Sequence, residues 1–402
     1  MMRILMLHNR YKIRGGEDEV AEAEAALLRS AGHDVEFLAA RNDEIEGPAS
    51  SVSAAVSSLW SRAWHRRVTA ALAARRYDIV HVHNFFPLIS PSVHVAARSA
   101  GVPVVQTLHN YRLVCPSANL MRNGAACTEC VARSMKWPAI RHGCYRGSRP
   151  ASSAVAAMLA VHRAAGTWRG VSRYVAVSDY VAARIREGAI PAERISVKPN
   201  FVSLPTERPI VPADQRRHVL FVGRLAPEKG LDLLLEAWSR TASPMPLKVV
   251  GEGAFPAGAV PAGISFLGRR ALAEVYELMR EAACVVMPGR WPEPFGRAAI
   301  EAFAHGTPVV TSDLGGAAEI VEHGRTGFLF RSGDAGHLGD RIGALLADER
   351  GRQSMSAAAR AVYEARYTPQ RNLRMLEEIY ALAARPELRA QTATAQMAAT
   401  QC

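Results

Sequence analysis

The stretch His218-Val219-Leu220-Phe221-Val222-Gly223-Arg224-Leu225-Ala226-Pro227-Glu228-Lys229-Gly230 decides the reading of the fold. An apolar run of strand length stops at Gly223. Two cations, Arg224 and Lys229, stand before the next helical pattern. Such a run, followed by a helix-length segment, marks a strand of a parallel sheet buried on both faces. The chain begins in the same way: Arg3–His8 reads as a strand, Gly15-Gly16 as a turn and Glu17–Ser30 as a helix. After that first start, apolar runs at Val35–Leu38, Asp78–His83, Val102–Leu108 and Tyr174–Ser178 alternate with helical patterns. After the second, they recur at Leu247–Val250, Ile264–Leu267, Val285–Met287, Val309–Thr311 and Phe328–Phe330. Strands spaced by helices imply right-handed crossovers and two doubly wound α/β domains facing a central cleft. In such sheets ligands bind at the carboxyl ends of the strands.

The rhythm breaks once. Lys198-Pro199-Asn200-Phe201 leads into a segment with Pro205, Pro209 and Pro212, which reads as a linker. The expected organisation is a first domain over 1–205 and a second over 206–368. A helix at 369–384 follows, then an Ala/Gln/Thr-rich tail at 385–402 expected to fray. A length of 402 residues and a mass of 43.5 kDa fit two cores better than one.

Composition excludes several classes. With 49% hydrophobic and 21% charged residues, the chain is neither disordered nor fibrous. It holds no run of 18 apolar residues, and its N-terminus lacks the features of a signal peptide, so a cytoplasmic location is expected. The net charge is +12, but only five basic residues are Lys (12, 136, 198, 229 and 248). That Arg excess resembles genome bias. One segment stands out. Residues 131–178 hold eight Lys or Arg and no Asp or Glu. It reads either as a solvated face or as a surface for anionic partners such as acidic lipid headgroups. Nucleic acid is not expected, since none of its recognition motifs occurs.

Three sites carry chemistry. Gly15-Gly16-Glu17 is a turn whose backbone N–H groups could approach a phosphate, or a tight turn with no ligand. It is not the dinucleotide-binding G-x-G-x-x-G. Arg224 and Lys229, at a strand's carboxyl end, suit a pyrophosphate. Trp291-Pro292-Glu293-Pro294-Phe295-Gly296-Arg297-Ala298-Ala299-Ile300-Glu301 places two carboxylates eight residues apart on and before one helix, able to hold vicinal hydroxyls. Glu301 sits among apolar residues and therefore needs a partner.

These residues resemble family-4, or group 1, glycosyltransferases, retaining enzymes of the GT-B fold. The likeness spans roughly residues 1–384. Its most specific pieces are the Glu293/Glu301 helix, Val222-Gly223-Arg224-Leu225 with Glu228-Lys229-Gly230, and Gly306-Thr307-Pro308-Val309-Val310. Gly315-Gly316 with Glu319, and Gly324-Arg325-Thr326-Gly327-Phe328, extend it. The resemblance implies that Arg224 and Lys229 bind the donor's diphosphate and that Glu301 binds the nucleotide's ribose. Glu293, with the N–H groups of Phe295 and Gly296, would hold the transferred sugar. Gly16 would bring backbone near the phosphate, and Gly251 would line the nucleotide pocket. The family often places a His where His109 ends its strand; a polar or orienting role near the reacting sugar is implied, against a satisfied core His. The reaction implied is sugar transfer from a nucleotide-diphospho-sugar with retention, to a glycan or lipid-linked acceptor of cell-surface polysaccharide synthesis. No Asp-x-Asp occurs to hold Mg²⁺ or Mn²⁺, so no catalytic metal is expected. A sugar-nucleotide epimerase of the same fold and an inactive nucleotide-sugar-binding scaffold are the alternatives.

Cys115, Cys127, Cys130 and Cys144 fall within 30 residues and fit a structural zinc site. An iron–sulfur cluster or incidental thiols on an acceptor loop are the other readings. Asn84-Phe85-Phe86-Pro87 reads either as an aromatic acceptor platform or as core.

Overall fold

The computed structural model describes residues 1–44, 47–188, 190–204, 208–241, 245–253 and 262–385. The chain forms two compact units. The first holds Met1–Asn119, Thr128–Pro199 and the chain from Asn372; the second holds Leu120–Cys127 and Asn200–Arg371.

The first unit runs β1 (Arg3–Arg10), α1 (Gly16–Ser30), β2 (Asp34–Arg41), α2 (Gly47–Leu59), α3 (Arg62–Ala74), β3 (Ile79–Asn84), α4 (Ser92–Ser99) and β4 (Val104–Leu108). A short antiparallel ribbon follows, β5 (Met121–Arg122) with β6 (Ala125–Ala126), and it groups with the second unit. The first unit resumes with α5 (Trp137–His142), α6 (Arg149–Ala164), β7 (Arg173–Ala176), α7 (Asp179–Glu187) and β8 (Ile195–Val197). Its sheet is wholly parallel in the order β2-β1-β3-β4-β7-β8. Every residue of β3 and β4 is buried, which is why these strands appear in the sequence as unbroken runs. The helices start where side chains supply acceptors: Ser148 Oγ receives Ala151 N–H and Ser178 Oγ receives Val181 N–H.

The second unit runs β9 (His218–Val222), α8 (Leu231–Arg240), β10 (Leu247–Val250), β11 (Ile264–Gly268), α9 (Leu272–Glu281), β12 (Ala282–Met287), α10 (Arg297–Ala304), β13 (Val309–Ser312), α11 (Gly316–Ile320), β14 (Gly327–Phe330), α12 (Ala335–Ala347) and α13 (Glu349–Arg366). Its parallel sheet has the order β11-β10-β9-β12-β13-β14. Strand order therefore reverses between β9 and β12, as it does between β1 and β3 in the first unit. Loops leaving those strands border a crevice at each switch point.

Helix α14 (Pro369–Ala383) brings the chain back to the first unit. Its Leu376, Ile379, Tyr380 and Ala383 are buried with Ile4, Met6, Val35, Ile79 and Val105. Each such aliphatic side chain contributes about 1.5–3 kcal/mol on burial.

Two expectations change. Strand β8 has no counterpart in the sequence reading, because Ile195-Ser196-Val197 is three residues long and interrupted by a polar residue. Lys198 was placed in the linker, yet its ammonium is buried, bonded to Glu24 Oε2 at 2.8 Å and Asn372 Oδ1 at 3.1 Å. The expected tail lies, beyond Arg385, outside the described residues.

Candidate active site

In the second unit, the backbone crosses itself at close quarters. Beyond the ends of β9 and β10, Gly223 N–H donates to Val250 O at 3.0 Å and Leu225 N–H to Glu252 O at 2.9 Å. Gly251, at φ +150°, lies so near that a Cβ would sit 1.8 Å from Gly223 O. Only glycine fits. Gly251 is thus first a packing requirement of the loop, whatever it also lines. Gly230, at φ +69°, ends a single 3₁₀ turn (Pro227–Lys229) and opens α8.

That turn sets the cations. Arg224 is exposed and paired with Glu228 at 3.0 Å. Lys229 Nζ meets Glu293 Oε1 at 2.7 Å and lies 5.5 Å from the Trp291 ring centre. The two groups expected to hold the diphosphate and the transferred sugar are therefore neighbours at the β9/β12 switch point.

The Glu293 loop is clamped from behind. Gly316 N–H donates to Glu293 O at 2.7 Å, and a Cβ on Gly315 would lie 2.6 Å from Glu293 N. Gly315-Gly316 therefore lets two backbones touch. Gly296 caps α10 at φ +90°, where a Cβ would meet Ala317 Cβ at 2.7 Å. Phe295 is buried just before it. One turn into α10, Glu301 is 8% exposed and pairs with Arg297 Nε at 2.9 Å. This supplies the partner that its apolar setting demanded.

In the first unit, Gly15 caps α1 and Gly16 begins it. Asp18 organises the turn: its carboxylate accepts Gly15 N–H at 2.9 Å and Tyr11 N–H at 3.3 Å, and faces His8 Nε2 at 2.8 Å. Beside it, Glu17 accepts from Tyr11 Oη and Asn110 Nδ2, both at 2.9 Å. Burial raises the Glu17 carboxyl, and those two donors partly oppose that.

His109 follows β4 and is buried, its Nε2 3.0 Å from His83 Nδ1 with the rings nearly parallel. His81 and His83 alternate with Val82 and so share one face of β3. Glu24 Oε1, from α1, lies 3.3 Å from His83 Nε2 and 3.4 Å from His81 Nδ1. Tyr380 Oη and Thr107 Oγ1 meet the two nitrogens of His81 at 2.7 and 2.8 Å. Burial holds His81, His83 and His109 below the ordinary histidine value. Burial alone would raise Glu24; Lys198, His83 and His81 more than reverse that and hold it well below the usual carboxylate range. The sequence reading gave no role to Glu24, His81, His83 or Lys198. The signal was the His-x-His alternation in a buried strand.

Among the described residues, Glu24, His81 and His83 are the group whose candidate ligand atoms lie within 4.8 Å of one another. The Lys198 ammonium already neutralises that carboxylate, so the set is an ion-pair network rather than a cation site. Cys115 and Cys130 are buried and Cys127 and Cys144 half-buried, all as free thiols. Burial pushes the Cys130 thiol up to about 11, with Cys115 and Cys144 near enough to add to the rise. Their loop is tied by Lys136, whose buried Nζ donates to Cys130 O at 2.7 Å, Val131 O at 3.3 Å and Arg133 O. Phe85 and Phe86 are buried, Phe85 against His94 and Trp168, Phe86 against Tyr145. They are core, not a platform.

Residues 131–178 are also sorted by the fold. Lys136 is buried, Arg163 and Arg173 half-buried, and Arg133, Arg141, Arg146, Arg149 and Arg169 exposed. Exposed Met135 and Trp137 stand among them, with Arg133 over the Trp137 ring at 5.3 Å. No helix among the described residues is long and apolar enough to cross a membrane.

The model for glycosyl transferases group 1 matches residues 205–362, and that for a glycosyl transferase 4-like domain matches residues 15–200. The phosphatidyl-myo-inositol mannosyltransferase of Mycobacterium leprae is 28% identical over 370 residues, 87% of this chain and 88% of that protein. The D-inositol 3-phosphate glycosyltransferase of Xylanimonas cellulosilytica is 29% identical, over 71% of this chain and 67% of that one. Among solved structures, the Anabaena protein HepE, in complex with UDP and glucose, superposes with a TM-score of 0.66 at 21% identity. That match covers 95% of this chain and all of that one. Two Rossmann-like parallel-sheet units and these likenesses lead to one statement: the chain belongs to the group 1 (family 4) glycosyltransferases, with the GT-B fold, and is a glycosyltransferase.

Proposed function

We propose that this enzyme transfers a sugar from a nucleotide-diphospho-sugar, with retention, to a glycan or lipid-linked acceptor of cell-surface polysaccharide assembly. The observation that carries the donor reading is the Lys229–Glu293 pair at 2.7 Å beside the N-terminus of α10, which has no side-chain cap. A cation and a carboxylate held together at a switch point match the two ends of the bond to be broken. Arg224 and Lys229 take up the charge that develops on the departing diphosphate, together with backbone N–H groups, which leaves no role that requires a divalent metal. Glu293 and the Phe295 and Gly296 N–H groups hold the transferred sugar, and Glu301 the ribose. The sugar C1–O bond to the diphosphate breaks, the acceptor oxygen bonds C1 on the same face, and the acceptor proton passes to the diphosphate. His109, just after β4, takes a polar or orienting role in the reaction.

Relatives named for inositol lipids and inositol phosphate support an acceptor that carries a polyol or phosphate. The exposed Arg133, Met135, Trp137, Arg141, Arg146 and Arg149 support contact with an anionic membrane that presents it. Glu129 is the nearest acidic neighbour in sequence.

Calorimetry with UDP, GDP, dTDP and their sugar conjugates in EDTA tests the donor reading. One nucleotide binding without metal is expected; binding only with added Mg²⁺ would refute the metal-free site. Glu301→Ala should lose nucleotide affinity, and Glu293→Ala should lose rate more than affinity. Proton NMR of the released glycoside reads the anomeric configuration, and inversion would refute retention. Sedimentation with anionic vesicles at low salt tests the surface, and its absence would remove the membrane from the proposal.

A further inference from the structure

The polar network under β3 does more than satisfy itself, because it dictates where protons sit. Glu24 Oε1 and His83 Nε2 are both buried, face each other at 3.3 Å, and have no better-aligned hydrogen-bond partner. The other Glu24 oxygen is taken by Lys198, so the carboxylate stays ionised. Two lone pairs facing each other in a dry interior would be unfavourable, and an unsatisfied buried carboxylate oxygen costs more than a neutral group. Both atoms are satisfied only if His83 carries its proton on Nε2. Its Nδ1 must then accept. The group 3.0 Å from that Nδ1 is His109 Nε2, which must therefore carry the proton. His109 is left with Nδ1 as a bare lone pair.

We propose that Glu24 and His83 are positioning residues that lock His109 in its Nε2–H tautomer. His109 Nδ1 is then left as a hydrogen-bond acceptor, so a polar group that meets it must bring a proton. The assignment differs from a generic polar histidine. A donor at that place would take ring oxygens, phosphate or a hydroxyl oxygen; an acceptor takes only a group that carries a proton. Lys198, held by Asn372 from α14, keeps Glu24 charged, so the tautomer traces back to the last helix of the chain. The target of Nδ1 rests on the glycosyltransferase reading; the tautomer itself does not.

The test begins with the wild-type protein. Long-range proton–nitrogen correlation of ¹⁵N-histidine-labelled enzyme at neutral pH, with the His109→Gln spectrum for assignment, should show the Nε2–H pattern for His109. An Nδ1–H pattern would overturn the proposal without any further variant. Glu24→Gln then probes the relay. An amide can donate to His83 Nε2, which moves the His83 proton to Nδ1 and drives His109 to the Nδ1–H form. The expected readouts are that inversion and a fall in kcat of about tenfold, the worth of one hydrogen bond, with nucleotide-sugar Kd unchanged. An unchanged tautomer and kcat would refute the relay, as would a kcat loss without tautomer change, which marks a structural effect alone. If Glu24→Gln does not fold, the wild-type spectrum still decides. If the protein transfers no sugar, the enzymatic reading fails while the tautomer stands or falls by its own spectrum.

Discussion

The two units share an architecture, and a buried ion pair in the first contrasts with an accessible one in the second. In the first, Glu24 and Lys198 are about 0% and 1% exposed at the side chain and form part of the core. In the second, Lys229 and Glu293 at the strand ends are each about one-fifth exposed and Arg224 is 60% exposed, while Arg216 is buried in a network of its own. The glycines beside the two turns differ too: an added Cβ on Gly15 would have nothing within 4 Å, whereas on Gly230, Gly251, Gly253, Gly296 or Gly315 it would collide with neighbours. The buried pair is fixed polar wiring. The pair at the strand ends sits where backbones crowd together and can change partners. A pair that must be exchanged for a diphosphate cannot also be a foundation of the fold.

The comparison breaks if the buried pair proves dispensable. Lys198→Met strands a charged Glu24 in the core and should cost about 3–5 kcal/mol in urea or guanidinium unfolding. A loss under 1 kcal/mol would mean that water or another group reaches Glu24. Next in size, Gly251→Ala forces apart two backbones and should cost about 1–3 kcal/mol, with weakened nucleotide binding. An unaffected variant would show that the loop has slack.

A smaller effect concerns acid. Burial pushes His94, His218 and His305 down to about 4, from an ordinary 6.5. The unfolded chain takes up these protons below about 6.5 and the folded chain only near 4. Stability is therefore intact above 6.5 and falls as pH drops from 6.5 towards 4. His94 lies in the first unit, His218 and His305 in the second, so both should weaken. Urea midpoints at pH 7, 5.5 and 4.5 check this, and a flat series would contradict it. The smallest effect sharpens the contrast most: Lys229→Met should change stability by no more than about 1 kcal/mol while lowering nucleotide affinity. A large stability loss would make the second unit resemble the first.

The fold was legible because parallel strands buried on both faces leave apolar runs, as at Leu220 or Val80, and the helices between them have room for their full length. The candidate donor residues Arg224, Lys229, Glu293 and Glu301 stood out because they lie in compact motifs whose glycines answer to local crowding. The network around His109 was not. Glu24 and Lys198 are separated by 174 positions, and nothing near either signals the other. Lys198 beside Pro199 and Asn200 looked like linker because proline reports backbone stiffness and says nothing of where the preceding side chain goes. Lys136, whose buried ammonium ties the cysteine loop, was hidden for a related reason: its partners are backbone carbonyls, which leave no trace in the sequence.

The placement of Asn372 and Tyr380 has a consequence for how this protein is made. Residues up to Pro199 leave the ribosome with Lys198 and His81 still waiting for their partners from α14. The whole second unit must be synthesised first. At about 5–20 residues per second, that wait lasts roughly ten to forty seconds. Until it ends, the first unit is a nearly finished sheet with an open seam where Leu376, Ile379 and Tyr380 will later lie. A nascent chain arrested before residue 372 would carry that seam uncovered, a natural handle for a chaperone or a protease.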